Sequence, residues 1–363
     1  MDQKHFILCD LGETSWQSDN GGRHRTMQLH ELYARAGLDI ETMAREADCS
    51  NIAKYIYGLQ ALIKNGMAFP GPVKLLRHHG AAHARCSAHL SKPSKPSTFS
   101  WEDTHCNNSA LPFLMHRAGC KVVASPQNLE ALFYWDLYSK KSTWRLRVEM
   151  TALKNADAIF CISSEEQWLL ALFGMHADFL PYHPPLYVRQ KMQHIRDLRE
   201  PSQKTRILIM GSAENPPTRQ GMVQLLEMLN AFPPGAAPPL DIVGFGTENL
   251  QQEVTGTGFK IHGGVDNETL QQLLLQAKAV ICHQKRGIGA LTRIPEMLWA
   301  GVPVIANSIA ARSASIYDGV NIYNSPQELL DLLNRTLPIP PPPAAPTKAE
   351  ARFIDALCPA HAG

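Results

Sequence analysis

Residues Ala277 to Ala306 read AKAVICHQKRGIGALTRIPEMLWAGVPVIA. The run Ala279–His283 is apolar enough for a buried strand, and Val302–Ala306 for a second one. Between them lie a glycine-bearing loop and a short helical pattern. Pro295 suits a first helical turn, where its missing N–H costs nothing, and Gly301 suits the left-handed stop after the helix. Strand, loop, helix and strand in that order predict a parallel crossover. A glycine loop feeding a helix also suits an anionic ligand such as a diphosphate. Arg293 and Glu296 stand one turn apart, where both could face that ligand. Gly287-Ile288-Gly289 taken alone is equally a tight turn.

The same rhythm extends outward from this stretch. Arg206–Met210 (RILIM) is a strand followed by Gly211-Ser212, then Asn215-Pro216-Pro217-Thr218-Arg219-Gln220-Gly221 and a helix over Met222–Asn230. Leu240–Val243 and Lys260–His262 are further strands, with Gly244-Phe245-Gly246 as the intervening turn. Asp266 caps a helix over Asn267–Gln276. A strand at Asn321–Tyr323 and a helix at Pro326–Leu333 complete the second half. In the first half, Phe6–Cys9 is a short buried strand and His24–Ala36 an amphipathic helix closed by Gly37. Strands follow near Leu38–Glu41, Val73–Arg77, Phe99–Trp101 and Lys121–Ala124, with helices at Ile52–Asn65 and Ser109–Ala118. Ala156-Asp157-Ala158-Ile159-Phe160-Cys161-Ile162-Ser163 enters another strand, and a serine-capped helix runs from Ser164 to Phe173. The chain is therefore expected to be α/β, with two Rossmann-like, doubly wound parallel sheets.

Composition narrows the function classes. The 363 residues contain 44% hydrophobic and 19% charged residues, as expected of a water-soluble chain of about two domains. No apolar run reaches the roughly 18 residues of a membrane span, and no signal peptide is expected. The net charge is +2, evenly spread over both halves, so no nucleic-acid footprint is expected. Eight scattered cysteines without a CxxC pair suit reduced thiols and a cytoplasmic setting. The stretch His78–His89 (HHGAAHARCSAH) is the one that suggests metal, with His79, His83, Cys86 and His89 at three- and four-residue spacings. Gly80 interrupts the helical pattern and no carboxylate completes a set. A histidine-rich loop is the expectation, and no metal or other cofactor is expected.

The string Gly287-x-Gly289-x-x-x-Arg293-x-x-Glu296, followed by Ala300-Gly301-Val302-Pro303-Val304, resembles the donor-binding segment of GT-B glycosyltransferases of the family-4-like kind, with this chain as a divergent member. The resemblance is strong over Arg206–Glu328 and weak before Ser97. It implies a GT-B fold, with two Rossmann-like domains facing a central cleft, and a nucleotide-sugar donor such as a UDP or GDP sugar. It implies that Glu296 holds the ribose and that Arg293 lies near the diphosphate. Gly211, Ser212, Gly244, Gly287, Ile288 and Gly289 complete the donor set. Arg219 is the second basic residue, so two guanidinium groups could neutralise the leaving diphosphate without metal. The domains are then 1–185 for the acceptor, 186–204 as a polar connector, 205–337 for the donor, and 338–363 as a proline-rich tail with a short helix. A return of that helix to the first domain is the family habit, though the piece is short.

On the acceptor side, Gly21, Gly22 and Arg23 resemble the family's glycine loop after the first strand, where donor phosphate and acceptor meet. Glu102, Asp103 and His105 follow a strand end, where open α/β sheets keep their chemistry, and are candidates to contact or deprotonate the acceptor hydroxyl. They serve equally well as turn and capping residues ahead of Ser109. Gln127, Asn128 and Glu130 resemble the family's His-Asn-x-Glu motif, with a glutamine that can hydrogen-bond but cannot act as a base. The segment Leu132–Leu153 carries Lys140, Lys141, Arg145 and Arg147, a face that suits either solvent or an anionic membrane surface.

The expected activity is hexosyl transfer from a nucleotide sugar to a hydroxyl of a glycan, lipid-linked or protein acceptor, in glycan or polysaccharide assembly. The expected location is the cytoplasm, with the inner membrane face as a further possibility. The family relation implies retention of anomeric configuration. Ile288, however, stands where the family has the first glutamate of its E-x7-E pair. Three alternatives stay open: a GT-B sugar epimerase, a non-catalytic nucleotide-binding scaffold and, least favoured because no G-x-G-x-x-G follows the first strand, a dinucleotide-dependent oxidoreductase.

Overall fold

The computed structural model describes residues 6–12, 15, 19–65, 73–133, 139–200, 205–254 and 258–358. It divides into two compact units, residues 1–182 with 346–363, and residues 183–345.

In the first unit the strands are β1 (Phe6–Cys9), β2 (Asp39–Thr42), β3 (Thr98–Trp101), β4 (Lys121–Ala124), β5 (Ala158–Cys161) and β6 (Asp178–Phe179). The helices are α1 (Gly21–Arg35), α2 (Asn51–Asn65), α3 (Leu75–Leu90), α4 (Ala110–Arg117), α5 (Glu130–Phe133), α6 (Ser139–Leu153) and α7 (Ser164–Leu172). All pairings are parallel, in the order β2-β1-β3-β4-β5-β6. The chain reverses direction across the sheet between β1 and β3, which makes that gap the switch point where ligands bind such sheets. Buried β1, β3 and β4 side chains feed two apolar clusters, one centred on Leu8, Phe99 and Trp101, the other on Ile7, Tyr33 and Phe160.

The second unit repeats the plan with α8 (Leu186–Leu198), β7 (Arg206–Met210), α9 (Pro216–Asn230), β8 (Leu240–Val243), β9 (Phe259–Gly263), α10 (Asn267–Gln276), β10 (Ala277–Cys282), α11 (Arg293–Trp299), β11 (Val304–Asn307), β12 (Val320–Tyr323) and α12 (Pro326–Asn334). Its order, β12-β11-β10-β7-β8-β9, is again wholly parallel, with the switch point between β7 and β10. Asp266 caps α10 as expected, accepting from Thr269 N at 2.8 Å. Gly301 adopts φ +70° just past α11.

Several expectations need correction. Val73–Arg77 is not a strand, and His78–His89 is not a loop; together they give α3. Gly80 does not break this helix. It lets α3 press onto α2, because a Cβ there would lie 1.6 Å from Lys54 O, while Gly58 opposite would meet Leu76 O at 2.2 Å. The stretch 186–204 is not merely a connector. Its first thirteen residues form α8, which buries Val188, Met192 and Ile195 in the core of the second unit. From α8, Arg196 donates to the carbonyls of Trp299 (2.7 Å), Leu298 and Pro340 (2.9 Å), so the C-terminal end of α11 is satisfied by a cation. The helix after β7 starts at Pro216 rather than Met222, with both prolines in its first turn, where no N–H is missed. Finally, Gly21 and Gly22 are not loop residues but the first turn of α1, whose N-cap Asn20 accepts from Arg23 N at 3.0 Å.

The tail helix α13 (Thr347–Leu357) returns to the first unit. Phe353 is fully buried, edge-on to Phe160 at 5.0 Å and 6.0 Å from Tyr33. Glu350 accepts from Arg35 at 2.6 Å, and Leu357 O accepts from Thr98 Oγ1 at 2.9 Å. An eleven-residue helix is marginal by itself, so this apolar face is what holds it. Phe353→Ala should lower the unfolding free energy by about 3–5 kcal/mol in urea titrations; a loss below about 1 kcal/mol would mean α13 is not anchored there.

Candidate functional site

Each switch point gathers polar residues at the carboxyl edge of its sheet. In the second unit, β7 ends in Gly211, at φ +155°. A Cβ there would lie 2.3 Å from Arg293 Nη1 and 2.9 Å from Thr218 Cγ2. Arg293, the first residue of α11, crosses above the end of β7 and donates through Nη1 to Met210 O. Gly244, at φ +134°, has room for nothing: its Cβ would lie 2.0 Å from Gly211 O. Gly221 lets α9 lie against the end of β10, where a Cβ would meet His283 O at 2.2 Å. These glycines bring β7, β8 and α9 together around Arg293, the close-approach role that glycine has in nucleotide-binding folds.

The loop Gln284–Thr292 is pinned from the far side. Arg312 donates to Gly289 O (2.8 Å), Ile288 O, Ile309 O (2.5 Å) and Gln284 Oε1 (2.6 Å). Asn307 brackets the same corner, accepting from Gln284 N at 3.1 Å and donating to Gln284 O at 2.8 Å. Glu296 is buried in the first turn of α11. Arg219 lies exposed in the early turns of α9, next to the buried Thr218 that faces Gly211. Ser212 Oγ is 3.4 Å from Phe245 O and accepts from Glu214 N at 3.3 Å. Gly211, Gly244 and Arg293 are thus brought together. Gly287, Ile288 and Gly289 share one loop, whose carbonyls at 288 and 289 are taken by Arg312.

In the first unit the switch point is closed by a carboxylate that sequence reasoning did not single out. Asp10, just past β1, accepts from Glu102 N (2.8 Å) and Asp103 N (2.9 Å) beyond β3. Burial, together with nearby Glu102 and Asp103, pushes the Asp10 carboxyl well above its usual range. Glu102 is itself buried. Its Oε2 accepts from Thr26 Oγ1 (2.7 Å) and Gln127 Nε2 (3.3 Å), while Oε1 has no hydrogen-bond partner among the described residues. Desolvation raises this carboxyl to about 7 against those two hydrogen bonds. Buried Arg25 is drawn down to about 10, mainly by desolvation. Gln127 also donates to Gly22 O (3.2 Å) and Thr26 Oγ1 (3.0 Å), so it ties the start of α1 to Glu102.

The remaining acceptor candidates bond neighbouring groups of the first unit. Asn128 Nδ2 donates to Glu130 Oε1 at 3.3 Å. Desolvation raises Glu130 to about 7 and Glu149 to about 8; Glu149 accepts from Thr104 Oγ1 (2.5 Å), Glu130 N (3.0 Å) and Ala131 N (2.8 Å). Asp103 accepts from His105 N (3.2 Å) and Asn108 Nδ2 (2.7 Å). His105 caps the following turn, its Nδ1 accepting from Asn107 N at 3.3 Å. That cap puts the proton on Nε2, so the neutral ring is a donor rather than a base. Arg23 is 3.6 Å from Asp19. The histidines of α3 disperse. His79 bonds Ser109 Oγ at 3.3 Å, His83 stacks on Tyr57, and His89 lies 3.1 Å from Glu41. Among the described residues no three metal-ligating side chains converge, and no helix is long and apolar enough to cross a membrane. Of the basic face proposed for the membrane, Arg147 is exposed and Arg145 lines a cavity, while the side chains of Lys140 and Lys141 lie outside the described set.

No protein-family model matches the chain, and no curated protein matches it in sequence. Solved structures do match it in fold. A sucrose-phosphate synthase from Thermosynechococcus elongatus aligns with TM-score 0.62 at 15% identity, over 97% of this chain and 94% of that one. Anabaena HepE, solved with UDP and glucose, aligns with TM-score 0.56 at 12% identity, over 98% and 92%. WaaG, a glycosyltransferase involved in lipopolysaccharide biosynthesis, aligns with TM-score 0.54 at 14% identity, over 97% and 94%. The chain has the GT-B fold, at great sequence distance from these neighbours.

A folded chain that keeps the Glu102 proton up to about pH 7, where the unfolded chain releases it near 4.5, loses stability as pH rises between those values. The loss is about 3 kcal/mol. Glu102→Gln should remove it, so urea titrations at pH 5 and pH 8 should show a flatter profile for the variant. Parallel profiles would show that Glu102 is ionised in the fold throughout.

Proposed function

We propose that the chain is a glycosyltransferase that moves a hexosyl group from a nucleotide sugar to an acceptor hydroxyl. The donor nucleotide binds the unit formed by residues 183–345. The observation that carries this reading is the β7–β10 switch point. There, the glycines at 211, 221 and 244 clear the backbone, Arg293 lies over Gly211, and Glu296 sits one helical turn behind it. A diphosphate needs close main-chain approach and a cation; a ribose needs a carboxylate acceptor. This edge offers all three. The GT-B fold, shared with HepE in its UDP complex, supports a uridine donor in particular.

Arg293, with Arg219 from α9, would take up charge on the departing diphosphate, a role that requires no metal. Glu102 has a proton affinity near neutrality but lies beneath Thr26 and Gln127. We assign it to positioning the first turn of α1 rather than to proton abstraction. Retention of configuration and a place in polysaccharide assembly are parts of the same proposal; the likeness to WaaG supports the latter. Ile288 favours a second reading, a nucleotide-binding protein without transfer. Its carbonyl is held by Arg312, and its apolar side chain cannot hydrogen-bond a sugar hydroxyl.

Two measurements separate these readings. Calorimetry should show UDP binding to the wild type, with Glu296→Ala weakening it about three- to tenfold, the worth of a ribose hydrogen bond. An equal affinity for both proteins would remove the ribose assignment. UDP release from UDP-hexoses with an acceptor extract should persist in EDTA and fall about 100-fold or more in Arg293→Ala. Binding without release would leave the scaffold reading standing.

A further inference from the structure

Helix α2 carries its large apolar side chains on the outer side. At about 100° per residue, Gly58 and Ala61 lie on its inner face, both buried, with Gly58 against Leu76 O and Tyr57 stacked on His83 of α3. Ile52, Ile56, Leu59 and Ile63 recur at i, i+4, i+7 and i+11 on the opposite face, and are 74%, 50%, 48% and 80% exposed. Tyr55 borders them and is also exposed. The stripe spans about 100° of the helix, the width that normally faces a core. A helix packed on a globular unit turns polar residues outward; this one turns isoleucines outward. Scattered exposed apolar residues need no explanation, whereas a contiguous row of them marks a contact surface.

The charge around the stripe has one sign. Residues 49–101 hold seven Lys and Arg and no Asp or Glu, in a chain whose net charge is only +2. Arg85 and Lys92 of this stretch are engaged with Asn108 and Glu41. Lys74 and Arg77, at the start of α3, are exposed and line one cavity with Tyr55 at the edge of the stripe. His78 beside them is pushed down by burial and then by Arg77, His105, Lys74 and Lys54, so these cations stand close together. An apolar stripe bordered by cations suits a helix that lies on a surface. Its occupant must be apolar and anionic at once. A second copy of the chain would bring the same positive charge against this one, and nucleic acid offers no apolar layer. An anionic lipid surface offers both, acyl chains beneath negative headgroups. At 15 residues α2 is about 22 Å long, too short to span a hydrocarbon layer of about 30 Å but suited to lying in its plane.

We infer that α2 docks the first unit on an anionic lipid surface. Ile52, Ile56, Leu59 and Ile63 enter the boundary between headgroups and acyl chains, while Lys74 and Arg77 meet the headgroups. The attraction is to a charged surface and not to a single anion, so exposed cations suffice. The docking face is on α2, not on the α6 run that carries Lys140 and Lys141. The inference is independent of the glycosyl-transfer reading.

Flotation at about 0.1 M salt, with vesicles of phosphatidylcholine and of equimolar phosphatidylcholine and phosphatidylglycerol, tests the assignment. The wild type should partition onto the anionic vesicles about tenfold or more above the neutral ones, at about fivefold per cation. Raising the salt to about 1 M should erase most of that preference. The stripe residues are exposed, so Ile52→Ser/Ile56→Ser/Leu59→Ser/Ile63→Ser should keep the wild-type urea midpoint and weaken anionic-vesicle binding about tenfold or more. Lys74→Gln/Arg77→Gln, which leaves the stripe intact, should weaken it by about as much. UDP affinity should be unchanged in both variants, and Glu296→Ala should bind vesicles as the wild type does. No vesicle binding by the wild type, equal partition onto both vesicle types, or a quadruple variant that binds as the wild type does would overturn the inference. So would a wild-type dimer in sedimentation velocity that the quadruple variant turns into monomer, because the stripe would then belong to a second copy. Failure of the transfer reading looks different: anionic-vesicle binding that both variants lose, with no UDP binding by the wild type, upholds the docking face and removes only the nucleotide site.

Discussion

A parallel sheet leaves amides and carbonyls unpaired where its strands end, and the gap at each switch point is the hardest place to satisfy them. Both units meet this constraint with a side chain thrown across the gap. In the first, the Asp10 carboxylate takes the two amides that follow β3. In the second, the Arg293 guanidinium takes the last carbonyl of β7. An acidic side chain bridges one gap and a basic side chain bridges the other, each from the opposite side of its switch point. The acidic edge is closed and buried; the basic edge is half-exposed, with cleared backbone beneath it. The proposal of a nucleotide site in the second unit rests on that asymmetry.

Much of the fold could be read from the sequence because the apolar runs are short and cleanly bounded. Arg206–Met210, Lys121–Ala124 and Leu240–Val243 coincide with the observed strands, and Asp266 and Ser163 announce their helices. The errors share one cause, reading glycine and polarity locally. Gly80 was expected to interrupt a helix, yet its missing Cβ is what permits the α2–α3 contact, a tertiary fact with no local signature. The polar run after Leu186 hides Val188, Met192 and Ile195 at helical spacing, an apolar stripe narrow enough to be outweighed by its charges. The length of α13 gave no hint of its anchorage, which depends on Tyr33 and Phe160, far away in sequence.

The candidate donor site was legible in part. Gly211, Gly244 and Arg293 come together as their motif positions suggested, but Arg312 and Asn307, which hold the loop they depend on, belong to no motif. Asp10, Thr26 and Arg25 were invisible for a similar reason: each matters only once β1, α1 and β3 are adjacent. Gln127, read as a defective histidine, is a structural tie between α1 and Glu102.

The central claim is that the β7–β10 switch point holds the nucleotide. Hydrogen–deuterium exchange with and without UDP tests it most directly, because it reports where binding orders the backbone. Slowed exchange confined to Gly211–Thr218 and Gln284–Glu296 is the predicted result. Protection only within residues 1–182, or none at saturating UDP, would contradict it.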